Sequence, residues 1–224
     1  MAHDQPLVAG LGVVGGCGSD SNFGVQPTGN VRVVNAMADS RLITIEFNEA
    51  LFGTISYAQA TPLTRAVARD LQMDVVYVTP EGTITDALDN FGIPFGSTSE
   101  VTVVLSGEQA TPTATIVAHT EFDADAGATE AQFFNAVTNG GRLEFHLVDT
   151  SQTTVSAPGT AVVGANAPGL IVAVSAGEQR LLVTREGASE VLYDSGPFSI
   201  VDSTRSLFVA CLLYTSDAAD ELLG

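Results

Sequence analysis

Val31 to Phe47 reads VRVVNAMADSRLITIEF, and Ala131 to Leu147 reads AQFFNAVTNGGRLEFHL. The pair Asn35-Ala36 recurs as Asn135-Ala136, at an offset of 100 residues. The faces repeat with the letters. Ile43, Ile45 and Phe47 alternate with Thr44 and Glu46, while Leu143, Phe145 and Leu147 alternate with Glu144 and His146. A period of two is what a half-buried strand requires, because successive side chains point to opposite faces. Each copy is therefore expected to carry the same strand with the same inward face.

Two further matches occur in the same order. Val78-Thr-Pro-Glu-Gly82 corresponds to Val183-Thr-Arg-Glu-Gly187 at an offset of 105, and Ser97-Thr98 before VTVV resembles Ser203-Thr204 before SLFV at 106. In the first of these a strand, VVYV or RLLV, runs into a polar turn ending in a Gly that can take positive φ. A drift from 100 to 106 with the order kept is what loop insertions in a duplicated domain produce. Short segments rich in Val, Thr, Ile and Phe, separated by Gly, Pro, Asn or Asp, predict an all-β chain of two tandem immunoglobulin-like β-sandwiches, each about 90 to 100 residues long. No long amphipathic helix is read, and Leu63 to Met73 is the best candidate for a short one. The boundaries expected are a first sandwich over 30–122, an acidic linker over 123–130 and a second sandwich over 131–210. The last strand of the first copy falls at Thr113 to His119. Its counterpart falls near the chain end, past residue 210, so the second sandwich is expected to be incomplete there, with an unpaired edge.

The segment VRVVNAMADSRLITIEF resembles the opening of the DUF4397 family, whose usual run is Arg-Val-Val-His-Ala-Ser-Pro-Asp-Ala-Pro followed by an alternating strand. Arg32, Val33, Val34, Ala36 and Asp39 are kept, while Asn35 stands for His and Met37-Ala38 for Ser-Pro. The second copy keeps Asn135-Ala136 and the alternation. The resemblance covers most of 30–210 and implies an exported bacterial protein with tandem domains of unknown function. The family has no established catalytic residues, so none is carried over.

The ends read differently. Leu7 to Gly16 is LVAGLGVVGG, directly before Cys17. Such a run is well short of the roughly 20 residues that span a bilayer but suits a signal-peptide core. Val14-Gly15-Gly16-Cys17 resembles the bacterial lipoprotein box, which implies a signal-peptide and lipobox segment over 1–17, cleaved just before a lipidated Cys17 that becomes the first mature residue, and a flexible tether over 18–29. The location implied is the bacterial envelope, lipid-anchored at the outer membrane or cell surface, or the medium. A frayed strand with an incidental cysteine is the competing reading. Gly10-x-Gly12-x-x-Gly15 has the letters of a dinucleotide fingerprint but lacks the strand before it and the helix after it, so no nucleotide is expected. From Cys211 the run CLLYTSDAADE resembles a translated sequencing adapter of the kind found in metagenomic gene models, so 211–224 reads as foreign; an acidic helix from Ser216 to Leu223 is the alternative. Cys17 and Cys211 are not expected to pair.

Against 26 acidic side chains stand 8 basic ones, all Arg, for a net charge of −18. Such a surface repels phosphate backbones and anionic headgroups, which argues against nucleic acid and electrostatic membrane docking. With 45% apolar residues the chain can fill a core rather than remain disordered. The uncompensated charge costs self-repulsion that salt screens, so a saline habitat is expected. His3, His119 and His146 have no zinc-ligand spacing, and no G-x-S-x-G elbow occurs. His146 reads as a strand packing residue. Asp123 and Asp125 resemble the start of a calcium loop, but two carboxylates fall short of the six to eight oxygens calcium takes, and a solvated linker is the preferred reading. No metal and no cofactor is expected. The sum is a non-enzymatic envelope lipoprotein with a binding or structural role toward an unknown envelope or extracellular ligand. The alternative is a secreted, for example glycan-active, enzyme or accessory domain with a site on the sandwich loops.

Overall fold

A computed structural model describes residues 28–67, 70–96, 99–120, 122–123, 127–155 and 158–211. Among these, every regular element is a strand. The first unit contains β1 (Thr28–Asn35), β2 (Ile43–Phe47), β3 (Ala50–Ile55), β4 (Gln59–Ala60), β5 (Thr64–Val67), β6 (Leu71–Val78), β7 (Ile84–Ile93), β8 (Ser99–Glu108) and β9 (Thr111–Thr120). The second contains β10 (Glu130–Asn135), β11 (Leu143–Val148), β12 (Ala161–Val163), β13 (Ala167–Pro168), β14 (Val172–Ala173), β15 (Gly177–Arg185), β16 (Val191–Ile200) and β17 (Arg205–Ala210).

Each unit is a sandwich of two sheets. In the first, β1 lies between the short antiparallel strands β4 and β5 on one side and the parallel strand β8 on the other, with β9 outside β8. The facing sheet runs β3-β2-β6-β7. The second unit repeats this pattern: β13 and β14 flank β10, β17 pairs parallel to it, and the facing sheet runs β12-β11-β15-β16. Val31, Val33, Ile43, Ile45, Val101 and Val103 belong to the first core. Ala131, Phe133, Leu143, Phe145 and Val183 belong to the second. Phe133 also stacks on Phe208 at 5.5 Å between ring centroids.

A third cluster joins the units. Ala36, Val104 and Val117 meet Phe134 and Ala136, with Val34, Leu207 and Val209 packed alongside. The β1 sheet therefore lies back to back with the β10 sheet, and the molecule has four layers. This explains why β1 and β8 read as nearly continuous apolar runs, VRVV and VTVVL: a strand covered on both faces has no polar side to show. Phe133 and Phe134 divide the same work between adjacent residues, one entering the second core and the other the seam. The seam is close to two-fold symmetric. Ser106 Oγ lies 3.0 Å from Asn166 Oδ1, and at the matching place the Tyr57 hydroxyl donates to Cys211 Sγ at 3.2 Å.

Pairing registers decide which matches in the sequence were true equivalences. Asn30 pairs with Glu100 as Glu130 pairs with Arg205, so VTVV and SLFV do correspond; Ser97 and Thr98 lie outside the described residues. The match of Val78 with Val183 does not hold. Val183 lies opposite Phe145 as Val75 lies opposite Ile45. Val183 is thus the counterpart of buried Val75, whereas Val78 is an exposed strand end. The turn glycines Gly82 and Gly187, at φ 83° and 72°, made the letters agree across hairpins of different length.

The short helix expected from Leu63 to Met73 is instead β5 and the start of β6. Thr64–Val67 pairs with β1 along four residues, and the partner edge overrides the weak helical pattern. Glu130, placed in the linker by sequence, is the first residue of β10 and holds Arg205 Nε at 2.8 Å. The final strand of the first unit extends beyond Thr113 to His119, over ten residues, because β8 pairs with it from end to end. The position of its counterpart falls beyond Cys211, outside the described residues.

Candidate functional site

The residues that carry the family resemblance are architectural. Val33 is in the first core and Val34 in the seam. Arg32 Nε donates to Thr102 Oγ1 at 2.8 Å, tying β1 to β8. Asp39 Oδ1 accepts the Gln109 amide at 2.8 Å, which fastens the β1–β2 turn to the β8–β9 turn. A motif spent on strand ends and turns leaves the ligand site to be sought elsewhere.

The second unit has an apolar groove of about 650 Å³ between its facing sheets, on the β16 and β17 side. Phe145, Val183, Phe198 and Phe208 line it, and Leu192 and Tyr193 stand at it half exposed, each at 48%. Tyr57 of the first unit and Cys211 also line it, so the groove adjoins the seam. Burial, with the Cys211 contact adding to it, raises the Tyr57 hydroxyl far above its ordinary value of 10.0, so this side chain is a neutral hydrogen-bond donor at any physiological pH. An apolar cavity of this size with a few polar groups at its edge has the composition of a ligand site.

The first unit shows what normally fills this place. There Ala114 and Ile116 of β9 pack onto the core beside Ala87, Leu88 and Phe91 of β7. β9 also pairs with β8 over its whole length. In the second unit, among the described residues, β17 pairs with β10 alone.

A second, polar cleft of about 540 Å³ lies on the outer side of the β11 sheet, with His146, Asp149, Gln152, Thr160, Glu178 and Gln179 among its walls. His146 is buried, and its Nε2 is 3.3 Å from Thr184 Oγ1. Burial lowers its pKa below the ordinary 6.5, while the Glu144 charge pulls the other way. Glu144 accepts the Gly159 amide at 2.6 Å and the Gly187 amide at 3.2 Å, and these bonds lower its pKa. The carboxylate thereby fixes both the long β11–β12 connection and the β15–β16 turn.

The other residues singled out by sequence scatter. His119 Nε2 lies 2.7 Å from Gln132 Oε1 across the units, far from His146 on the outer sheet. Asp123 is described, whereas Asp125, His3 and Cys17 lie outside the described residues. Cys211 is a free thiol at the seam. Among the described residues no three His, Cys, Asp or Glu side chains are grouped to hold a metal. Sequence reading missed the groove because its walls come from four strands that also supply the core.

Residues 29–146, just over half of the chain, match a family described as a domain of unknown function, DUF4397. The match runs from β1 through the first unit and into β11. No curated protein matches the chain.

Proposed function

The chain belongs to the DUF4397 family, and from that footing we propose that it is a non-enzymatic binding module of the bacterial cell envelope whose ligand enters the apolar groove of the second unit. The second unit is a further copy of the family domain, as its repeated strand pairing supports. Cys17 carries the lipid, and residues 18–27 tether the paired sandwiches to the membrane, Thr28 and Gly29 being the start of β1 rather than part of the tether expected from the sequence. The observation that carries the reading is the groove itself, about 650 Å³ of apolar space with Leu192 and Tyr193 half exposed beside it. A lone exposed Leu means little; a contiguous apolar concavity on a soluble surface marks an interaction site.

Titration with an environment-sensitive naphthalene sulfonate dye tests this. Saturable fluorescence lost in Leu192→Arg, with the circular dichroism unchanged, is the expected result. Equal fluorescence in both proteins ends the proposal. The anchor is tested by palmitate labelling of the precursor with and without Cys17→Ala, where equal labelling removes it.

The polar cleft beside His146 favours a second reading, an accessory domain that holds a polyhydroxylated ligand such as a glycan. Retention on immobilised glycans that is the same for the protein and for Gln152→Ala would dispose of it.

A further inference from the structure

The outer face of the first unit's β3-β2-β6-β7 sheet carries an apolar row that folding does not require. Ile43 pairs with Tyr77 and Val78 with Ile84, so Leu42, Val78 and Ile84 stand side by side across the ends of β2, β6 and β7. Ile43 and Tyr77 pack on the core, which turns their neighbours Leu42 and Val78 outward. The three side chains are 57%, 59% and 71% exposed. In the second unit Leu143 pairs with Arg185 as Ile43 pairs with Tyr77, so Arg142 and Glu186 hold the places of Leu42 and Val78. They form an ion pair at 3.3 Å. One strand frame thus accepts charge at this place in one copy and keeps leucine and valine in the other. A single exposed apolar side chain needs no explanation, but a contiguous row marks an interaction surface.

Charge on the same face defines the partner. β2, β3, β6 and β7 carry Glu46, Asp74, Asp86 and Asp89 and no arginine, whereas the matching sheet of the second unit sets Arg180 and Arg185 among its carboxylates. Glu46 lies directly opposite Asp74, and Asp86 opposite Val76, on the face that bears the apolar row. Like charges facing each other across two strands are destabilising, and a cation set between them relieves the repulsion. In the second unit that cross-strand place is held by His146 and Leu182, with no such repulsion. We propose that this face docks a basic segment of a partner polypeptide, with aliphatic side chains on Leu42, Val78 and Ile84 and a lysine or arginine between Glu46 and Asp74. A second copy of this chain brings the same carboxylates and a net charge of −18, and anionic lipid is repelled as well. The face is separate from the apolar groove, which belongs to the second unit.

The test uses the whole chain and two synthetic peptides of equal charge, VKVKVKV and SKSKSKS. VKVKVKV should bind saturably, with amide shifts centred on β2, β6 and β7 in heteronuclear NMR and with an affinity that falls as salt rises. SKSKSKS should bind at least about tenfold more weakly, because it has no apolar face to bury. Leu42→Arg combined with Val78→Glu installs the second unit's own pair without changing the net charge, and it should weaken VKVKVKV by at least about tenfold. Ile84→Ser, at the most exposed of the three places, should weaken it in the same direction and covers the case in which the double variant does not fold. Glu46→Gln should weaken binding too, while Glu190→Gln, which removes one exposed carboxylate from the second unit, should leave it unchanged. Equal binding of the two peptides, equal binding by the parent and the double variant, or no binding at all overturns the proposal. A dimer seen by sedimentation in the parent and lost in the double variant also overturns it, since the row then seats a second copy. Loss of peptide binding in Leu192→Arg with none in the double variant moves the peptide to the groove and likewise ends it.

Discussion

Asn35 and Asn135 hold the same turn in the two units. Both are fully buried, and each turns Oδ1 onto the amide two residues ahead, Met37 at 3.1 Å and Val137 at 3.0 Å. Nδ2 of Asn35 donates to Ser40 Oγ at 2.8 Å, while Nδ2 of Asn135 donates to the carbonyls of Gly141 at 2.9 Å and Val163 at 3.2 Å. Asn serves here because one amide supplies both an acceptor for the turn and donors for the segments packed around it. Asn35→Ala and Asn135→Ala each leave buried backbone groups without partners, so each should cost about 1–3 kcal/mol in urea unfolding. A change within error at Asn135 would mean that this amide does not hold the turn.

Ala58 and Asn166 are also counterparts. Each donates its amide to the carbonyl of the turn asparagine, Asn35 at 2.9 Å and Asn135 at 2.7 Å, and each has positive φ, 58° and 52°. Asn enters that conformation more readily because its short polar side chain can hydrogen-bond locally, whereas Ala is strained there by about 1 kcal/mol. Ala58→Gly should therefore stabilise the protein by about 0.5–1 kcal/mol, and Ala58→Asn by a smaller amount. Thermal melting of the three proteins checks the order.

Much of this was legible in the letters, for definite reasons. The Asn-Ala pair marked a true equivalence because a buried amide with several bonds has few substitutes. The alternation of Ile43, Ile45 and Phe47 gave the inward face because only one side of β2 is covered by a core. The Val78 and Val183 match misled because turn chemistry, Gly with positive φ, repeats independently of strand register. The seam and the groove were not legible. A strand buried on both faces reads as an apolar run and does not say what covers its second face, and a groove walled by core-type residues has no signature of its own.

The seam should couple the two units. Phe134 is fully buried in the cluster between them, while Phe133 is fully buried in the second core. Removing either large ring should cost about 3–5 kcal/mol. Phe134→Ala weakens the contact and leaves both cores whole, so calorimetry should show the unfolding peak separate into two. Phe133→Ala lowers the stability of the second unit alone. A single sharp peak in Phe134→Ala would mean that the units are coupled by something other than this cluster.

Gly159, near the end of the long β11–β12 connection, and Gly164, just after β12, make a matched pair. A Cβ on Gly159 would collide with Glu144 Cγ and lie 2.9 Å from the Phe145 carbonyl oxygen, whereas one on Gly164 meets nothing within 4 Å. The Phe145 oxygen is backbone in a paired strand and cannot retreat. Gly159→Ala should destabilise by about 1–3 kcal/mol, the usual cost of overpacking, and Gly164→Ala should stay within about 0.5 kcal/mol of the parent, as surface changes do. Equal melting temperatures for the two variants would show that the loop does not pack on Glu144.

Acid should weaken the second unit in two separate steps. The native state holds His146 neutral, chiefly by burial, so its pKa lies below the ordinary 6.5. As pH falls through 6.5 the unfolded chain takes up a proton the native state refuses, and stability drops until the native pKa is reached, after which no more is lost. Glu144 acts in a lower window. Its pKa is held below the ordinary 4.5 by the Gly159 and Gly187 amides, so its contribution is whole above that value and fades as pH falls toward the native pKa. Urea midpoints measured from pH 8 to pH 3 should show the upper step vanish in His146→Gln and the lower one shrink in Glu144→Gln. An upper step of unchanged size in His146→Gln would show that burial of this ring is not its source.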